Sequence, residues 1–241
     1  MQILLPMAGA GSRFYECGYD KPKPLIDVLG KPMIERVIEN LGFENDYVFL
    51  VQKKHMEEYG AELIKAFSRA NSYKIVLIDG LTEGAACTAL LGEHEIDPNK
   101  PLMIANTDQI MEYDRTEFYD WFYNSDSDGL IFTFKSLEKK HSYAKLDELD
   151  KYVTEVAEKI VISNNATVGV YLWRRARDFF ASAKEMIKRD IRTNNEFYIC
   201  PTYNILIEKG SKIEPYDIRV HHPIGTPEDL IKYINKKTRG V

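Results

Sequence analysis

The first half of the chain alternates short apolar runs with segments whose apolar residues keep helical spacing. The apolar runs lie at 3–5, 47–51, 73–78 and 101–105, and the helical spacing lies at 34–41, 56–67 and 81–91. Short apolar runs that alternate with helices are typical of parallel strands that are covered on both faces. The pattern therefore predicts an α/β fold built on one doubly wound, mostly parallel sheet.

The pattern changes near residue 130, where strand-like segments follow one another with few helices between them. These segments lie at 130–134, 152–157 and 166–173, before helical spacing returns at 174–187 and near Pro201. We expect the three strands to leave the parallel core and to form a small antiparallel lid over one side of the sheet.

Composition narrows the classes of function. A chain of 241 residues fits one large α/β domain, and its net charge of −5 argues against a nucleic-acid or acidic membrane surface. We find no apolar run near the roughly 20 residues of a transmembrane helix and no pattern of a secretory signal. Cys17, Cys87 and Cys200 are odd in number and far apart, which predicts a cytoplasmic protein without disulfides or zinc.

Small residues and two basic side chains follow the first predicted strand. The chain reads Met7-Ala8-Gly9-Ala10-Gly11-Ser12-Arg13, and Lys23-Pro24-Leu25 comes ten residues after Arg13. Backbone that carries little side chain lets an anion approach the peptide N–H groups closely. Because Arg13 and Lys23 add positive charge to the same loop, the sequence predicts a binding loop for a triphosphate.

Two other phosphate-binding motifs fit this loop poorly. A dinucleotide fingerprint needs a third glycine where this chain has Phe14. A Walker loop needs Gly-Lys followed by Ser or Thr, and the sequence has no such triplet. An ordinary strand-to-helix turn remains the alternative for the isolated glycine pair.

Three segments together resemble the signature of the nucleotidyltransferases that make sugar nucleotides, the pyrophosphorylases. They are Gly9-Ala10-Gly11-Ser12-Arg13, Lys23-Pro24-Leu25 and Gly30-Lys31-Pro32-Met33-Ile34. The resemblance extends along nearly the whole chain and implies a Rossmann-like fold of the GT-A type. It implies a single domain, 1–241, with a core that binds the nucleoside triphosphate at 1–129, an acceptor-binding part at 130–223 and a C-terminal helix at 224–241.

The resemblance implies that the nucleotide lies against two loops. The first is the phosphate loop, 7–13, together with Lys23. The second contains Thr82, Glu83, Gly84 and Ala85, which correspond to a turn that reads the edge of the nucleobase through main-chain groups. The alternative for this second loop is a helix N-terminus with Thr82 as its cap.

A carboxylate follows the fourth predicted strand. Asp108 stands at the carboxyl end of a buried strand, where open α/β sheets bind ligands, and it matches the family's magnesium aspartate. A turn residue or a helix cap is the alternative. The family closes with W-x-D-I-G-T-P-E-D-L, whose aspartate supplies a second magnesium ligand, but this chain has Pro223 there, preceded by His221 and His222. Asp217, water and His222 are the alternatives for that second ligand.

The acceptor side contains a second lysine. Glu158-Lys159-Ile160 resembles the family's E-K-P turn, whose lysine holds the acceptor phosphate, although isoleucine replaces the proline. The other candidate residues for acceptor binding are Asn106, Gln109, Asn164 and Glu196.

The implied reaction needs no nucleophile from the protein, because the acceptor phosphate attacks the α-phosphorus and pyrophosphate leaves. The protein must bring two polyanions together and neutralise the charge that develops. We assign Arg13 to the β- and γ-phosphates, Lys23 to the α-phosphate, Lys159 to the acceptor phosphate and Asp108 to Mg²⁺.

The substrates are predicted from two segments. NTDQ at 106–109 and NNEFYICPTYN at 194–204 resemble short cytidylyltransferases of capsule or surface-polymer synthesis, so we predict CTP and a non-sugar acceptor such as L-glutamine phosphate. The alternatives are a sugar 1-phosphate nucleotidyltransferase that uses UTP, dTTP or GTP, a GT-A glycosyltransferase, and a silent regulatory paralogue. Only the D-x-D at 126–128, which is more typical of a turn, favours a glycosyltransferase. The sequence leaves the oligomeric state open.

Overall fold

Four parallel strands form the first part of the central sheet in the computed structural model, which describes residues 1–239. They are β1 (Gln2–Pro6), β2 (Asp46–Gln52), β3 (Ser72–Ile78) and β4 (Leu102–Ala105). They pair in the order β3-β2-β1-β4, so the predicted parallel core is confirmed. Leu4 and Leu5 are both completely buried although they point to opposite faces, which explains why the strands read as continuous apolar runs.

Helices cover both faces of this sheet. The first four are α1 (Ser12–Glu16), α2 (Met33–Leu41), α3 (Lys53–Phe67) and α4 (Ala85–Leu90). Helices α2 and α3 pack in the same apolar cluster as Leu5, whereas α4 packs in the cluster that contains Leu4. The doubly wound α/β arrangement is therefore confirmed.

The second half of the chain supplies the remaining elements. They are β5 (Gln109–Glu112), α5 (Arg115–Asn124), β6 (Gly129–Lys135), β7 (Ser142–Leu146), β8 (Val153–Glu158), β9 (Asn165–Trp173), α6 (Ala176–Lys188), α7 (Thr202–Ile207), β10 (Ile213–Asp217), β11 (Val220–Pro223) and α8 (Pro227–Arg239). The sheet continues from β4 through β9 and β6 to β10, and β9 runs antiparallel to both of its neighbours.

The prediction that all three later strands leave the core was wrong for two of them. Strands β6 and β9 lie within the main sheet, and every residue of β9 is buried. Val170 and Tyr171 belong to the apolar clusters on opposite faces, so β9 needs a place with cover on both sides. The antiparallel lid is smaller than expected and consists of the β7–β8 hairpin, which joins the edge of β9 through Tyr143 and Ala166.

A separate two-stranded sheet connects the end of β4 to the C-terminal part. Strand β5 begins directly after Asp108 and pairs antiparallel with β11, so that Gln109 lies opposite Pro223. The C-terminal helix begins at Pro227, slightly later than the predicted 224, and the last two residues of the predicted range lie outside the described residues. Within residues 1–239, no helix combines the length and the apolar character that crossing a bilayer requires.

A buried tyrosine joins the later strands to helix α7. Tyr203 is completely buried and stacks on Trp173, with ring centroids 4.7 Å apart. Its hydroxyl lies 2.7 Å from the carbonyl oxygen of Leu172 and 3.0 Å from that of Leu130. These two residues are register partners in β9 and β6. The hydroxyl therefore ties α7 to the strand pair.

We expect Tyr203→Phe to lower the free energy of unfolding by about 1–2 kcal/mol, because it leaves buried carbonyl oxygens without their donor. Urea denaturation of both proteins measures the difference. Tyr123→Phe is the matched control, since that side chain is 56% exposed on α5 and its loss of a hydroxyl should change little. Equal midpoints for wild type and Tyr203→Phe would contradict this view of the contact.

Candidate active site

The phosphate loop, residues 7–13, runs from the end of β1 into the first turn of α1, and two residues of β2 contact it through hydrogen bonds. The amide of Met7 donates to the carbonyl of Leu50 over 3.0 Å, and the side-chain amide of Gln52 donates to the carbonyl of Ala8 over 2.7 Å. Met7 and Ala8 are buried, whereas Gly9, Ala10, Ser12 and Arg13 are exposed. Gly11 has a φ of 64°, a left-handed conformation that favours glycine, and it starts helix α1. The loop therefore presents its small residues and Arg13 to solvent from a fixed base.

An ion pair joins this loop to the end of β4. The ammonium of Lys23 lies 2.5 Å from a carboxylate oxygen of Asp108, and both side chains are about one quarter exposed. Lys23 and Asp108 line one cavity of about 380 Å³ together with the phosphate loop. The structure thus brings together Arg13, Lys23 and Asp108, which are far apart in the sequence.

The segment after β11 passes directly over Asp108. The amide of Ile224 donates to the main-chain carbonyl of Asp108 over 2.9 Å. A Cβ atom on Gly225 would lie 2.5 Å from a carboxylate oxygen of Asp108, which is closer than real Cβ contacts come. Only glycine fits there without displacing the carboxylate. Gly225 also lines the cavity, so the segment after β11 forms part of its wall.

Strand β11 sends neighbouring side chains to opposite sides. His221 and Pro223 line the cleft, whereas His222 packs on the other side, with its Nε2 atom 2.8 Å from a carboxylate oxygen of Glu112. His222 and Lys237 hold the pKa of Glu112 near 2 through hydrogen bonds. His222 was one of the predicted alternatives for the second magnesium ligand. It lies on the face of β11 that points away from the cleft, so the structure does not bring it to Asp108.

Asp217, the other carboxylate considered for the second metal ligand, also lies elsewhere. It ends β10 and lines a different cavity with Tyr216 and Glu112. Within residues 1–239, no three histidine, cysteine, aspartate or glutamate side chains are grouped so that they could hold a metal ion. Asp108 therefore belongs to no such group, although Asp229 lines the same cleft.

The predicted nucleobase loop is held by a segment near residue 197. The amide of Phe197 donates to the carbonyl of Glu83 over 2.8 Å, and the amide of Ala86 donates to the carbonyl of Phe197 over 2.9 Å. Gly84 approaches so closely that a Cβ would lie 2.5 Å from the Phe197 carbonyl oxygen. Arg192 adds a 2.6 Å ion pair with Glu83 and lies 4.0 Å from the centroid of the Phe197 ring.

Of the four residues predicted to read the base, Ala85 lines the cleft, and the other three precede it on the loop. Helix α4 begins at Ala85 after Gly84, so Thr82 as an N-cap was wrong. The Thr82 hydroxyl instead donates to the carbonyl of Gly84 over 2.9 Å. This contact stays within the loop and shapes it.

A second cavity of about 450 Å³ adjoins the first on the side of the β7–β8 hairpin. Glu158 lies in its wall, where burial raises the pKa of the carboxyl, and it accepts a hydrogen bond from the Ser142 hydroxyl. Lys159 follows with a positive φ of 58°, and its ammonium bonds the hydroxyl of Tyr198, whose ring centroid is 4.5 Å away. The sequence analysis missed Tyr198, which stands two residues after Glu196 and contacts Lys159 only in the folded chain.

The remaining predicted acceptor residues divide into two groups. Asn106 and Gln109 line the second cavity. Asn164 and Glu196 are exposed and do not line it, although the Glu196 carboxylate lies close enough to Tyr198, which does line it, to help burial raise the pKa of that hydroxyl. Asn164 instead accepts a main-chain hydrogen bond from Ser136, and Glu196 closes a tight turn with Thr193.

A doubly wound sheet with a basic, glycine-containing loop and a carboxylate at a strand end defines a nucleotide-binding α/β protein. The chain belongs to the nucleotidyl transferase family, whose sequence model matches residues 2–239. The resemblance to nucleotidyltransferases that the three sequence segments indicated is therefore confirmed.

Curated relatives are about one quarter identical to this chain over the aligned residues. The bifunctional protein GlmU of Methanocaldococcus jannaschii is 24% identical over 79% of this chain and 48% of its own length. Mannose-1-phosphate guanylyltransferase 1 of Arabidopsis thaliana is 26% identical over 71% of this chain and 49% of its own length. The chain spans about half the length of these curated relatives.

Solved structures share the fold. A nucleoside-diphosphate-sugar pyrophosphorylase from Vibrio cholerae superposes with a TM-score of 0.82, at 24% identity, and covers 97% of this chain and 99% of its own. A UDP-glucose pyrophosphorylase solved with UDP-glucose gives a TM-score of 0.80 at 18% identity, over 100% of this chain and 99% of its own. Both likenesses extend along the whole sheet and its lid.

We expect Gly225→Ala to displace the Asp108 carboxylate and to weaken the binding of a magnesium–nucleotide complex about tenfold or more, because the new methyl group overlaps a carboxylate oxygen. Calorimetric titration measures the affinity, and a crystal structure of the variant shows the displacement. Gly60→Ala is the control, since a Cβ at that helical position meets only Met56, at an ordinary 3.6 Å. Unchanged affinity in Gly225→Ala would contradict the tight contact.

Proposed function

We propose that this protein is a sugar 1-phosphate nucleotidyltransferase, which transfers a nucleoside monophosphate from a nucleoside triphosphate to a sugar 1-phosphate and releases pyrophosphate. One observation carries this proposal. The two cavities are parts of one cleft, since both are lined by Arg13, Lys23 and Asp108. The phosphate loop lies at one end of the cleft and Lys159 at the other. A triphosphate and a second phosphorylated substrate would therefore meet at the Lys23–Asp108 pair.

The choice of acceptor is supported by the relatives. One relative is named as a mannose-1-phosphate guanylyltransferase, and one solved structure is that of a UDP-glucose pyrophosphorylase. Both names refer to a sugar phosphate or a sugar nucleotide. These names favour the sugar 1-phosphate alternative over the predicted pair of CTP and L-glutamine phosphate, and we adopt that alternative. They differ in their nucleobase, so a panel of UTP, dTTP, GTP and CTP belongs to the first experiment.

The proposed reaction follows from charge. The acceptor phosphate is already a nucleophile, so the protein must align two polyanions and neutralise the charge on the departing pyrophosphate. Arg13, exposed at the loop, is assigned to the β- and γ-phosphates. Lys23, at the junction of the two cavities, is assigned to the α-phosphate, and Lys159 to the acceptor phosphate.

The side chains present fit a magnesium ion that arrives with the nucleotide. Asp108 offers one carboxylate at the junction, and magnesium is satisfied by one or two carboxylates together with phosphate oxygens and water. Pro223 faces the same cleft but has no side-chain oxygen to offer. When bound, Mg²⁺ neutralises phosphate charge and polarises the phosphoryl group.

The two competing functions find less support. The D-x-D at 126–128, which would favour a glycosyltransferase, lies in the connection between α5 and β6, outside the residues that line the cleft, and its Ser127 is completely buried. Asp126 lies 2.7 Å from the ammonium of Lys212, and Asp128 accepts a hydrogen bond from the Lys212 amide. A silent paralogue would be expected to lose the basic side chains of the cleft. Arg13, Lys23 and Lys159 are all present there.

We expect Arg13→Ala to cost about 2–4 kcal/mol of transition-state stabilisation, or roughly 30- to 1,000-fold in kcat/KM, because one charged phosphate contact is lost. Pyrophosphate release with a sugar 1-phosphate measures it. Arg177→Ala is the control, since Arg177 bonds Asn99 on the exposed surface outside the cleft. Wild-type turnover and triphosphate affinity in Arg13→Ala would overturn the assignment of the loop.

We expect Asp108→Asn to abolish most activity at ordinary magnesium concentrations, with partial recovery at high magnesium or manganese, because the carboxylate charge is lost. Activity is measured against metal concentration. Full wild-type activity in EDTA would contradict the magnesium requirement.

The proline at position 223 gives a separate prediction. The free protein should bind magnesium weakly, and Pro223→Asp should tighten this binding on the order of tenfold, since it adds a carboxylate to the cleft wall. Pro223→Asn is the matched control, because it makes the same change of backbone and volume without the charge. Calorimetric titration with and without triphosphate measures both variants. Tight binding to the wild-type protein that nucleotide does not change would mean that another ligand holds the metal.

A further inference from the structure

One face of the β5–β11 sheet carries two buried polar atoms that have no hydrogen-bond partner among residues 1–239. Gln109 lies opposite Pro223, and His221 lies opposite Met111, so Gln109 and His221 are diagonal neighbours on the same face. The Gln109 side chain is only 5% exposed, and its amide nitrogen has no hydrogen-bond partner within the described chain. The same holds for the Nε2 atom of His221. Both residues line the second cavity, where the acceptor is proposed to bind.

Buried polar atoms without a partner are uncommon because losing water without gaining a hydrogen bond costs free energy. When two of them line one wall of a binding cavity, a ligand is the natural partner for both. On the other face of β11, by contrast, His222 finds its partners within the protein, in Glu112 and Tyr233.

The chemistry of this wall is neutral. Burial and the neighbouring His141 lower the pKa of His221 to about 4, so its ring is uncharged at neutral pH. The ring packs on Phe134, with centroids 4.7 Å apart, which fixes its orientation. An amide N–H donor beside a neutral imidazole nitrogen suits an uncharged group that can both accept and donate, and a hydroxyl is such a group.

Charged groups also line this cavity: Asp108 directly precedes Gln109, and others lie further along the cleft. Lys159 lies beside Tyr198, and the buried Glu158 lies beside Ser142, on the side of the lid. An acceptor phosphate would find its cation there. The part of the acceptor that reaches the β5–β11 wall would then meet hydrogen-bonding groups without charge.

We propose that Gln109 and His221 determine acceptor specificity by hydrogen-bonding a hydroxyl group of the acceptor's sugar ring. This proposal rests on the proposed function, because it takes the acceptor to be a sugar phosphate. His221 had no predicted role before the structure placed it in this wall. The adjacent residue, His222, lies on the opposite face of β11 and cannot contact the same ligand group.

The first test separates acceptor binding from nucleotide binding. Gln109→Met and His221→Phe keep the volume of each side chain and remove its hydrogen-bonding nitrogen. We expect each to raise the KM for the sugar 1-phosphate about tenfold, the usual effect of losing a hydrogen bond to a neutral group, while the KM for the triphosphate stays within about twofold. His221→Gln, which keeps a nitrogen donor, should recover part of the loss.

His222→Phe is the matched control, since it changes the neighbouring histidine on the opposite face. It should lower thermal stability through the lost bond to Glu112 but leave the KM for the acceptor unchanged. A rise in the acceptor KM of His222→Phe equal to that of His221→Phe would overturn the proposal, because the effect would then come from a general disturbance of the strand.

The second test uses the wild-type protein with monodeoxy sugar 1-phosphates. Wild type should discriminate against the analogue that lacks one particular hydroxyl, and His221→Phe should lose that discrimination. If wild type turns over sugar 1-phosphates but accepts every monodeoxy analogue equally well, the proposal is wrong and the proposed function stands. If wild type turns over no sugar 1-phosphate with any of the four nucleotides, both are wrong.

Discussion

The ion pair between Lys23 and Asp108 is the contact on which the arrangement of the cleft depends. It joins the loop after the first strand to the carboxyl end of the fourth, which are neighbours only because β1 and β4 pair in parallel. With both side chains about one quarter exposed, the pair adds little to the free energy of unfolding. Its importance is positional, because it sets one positive and one negative charge where the two cavities meet.

The short β5–β11 sheet builds the rest of the cleft around that pair. Because β5 starts immediately after Asp108, its pairing with β11 fixes the path of the segment that crosses the carboxylate at Gly225. The same pairing decides which side chains of β11 face the cleft. A shift of one residue would send His222 inward and His221 outward, so the register of a four-residue strand determines the chemistry of the acceptor wall.

Local pattern was enough to predict the parallel core and to place a loop of small residues directly after its first strand. The apolar runs of β1 to β4 are covered on both faces, and the residues of the loop are contiguous or nearly so, from Met7 to Lys23. The position of β9 was not predictable in this way. An apolar run can join a core or a lid, and only pairing with β4 and β6, more than 30 residues away, decides between them.

Side-chain direction and contacts across the fold were the other features that sequence alone could not supply. His222 was one of three alternatives for the second metal ligand, and the sequence alone did not show that strand alternation places it on the face opposite His221 and the cleft. Tyr198 was missed because its partner, Lys159, lies 39 residues earlier and meets it only through the fold.

The two substrate sides of the cleft are connected through consecutive residues. Phe197 bonds the main chain of the predicted nucleobase loop at Glu83 and Ala86, and Tyr198, the next residue, bonds Lys159 on the acceptor side. Two adjacent residues of one segment therefore contact both ends of the cleft that the proposed nucleotide and acceptor would occupy, so the arrangement of these ends depends on this segment as well as on the sheet.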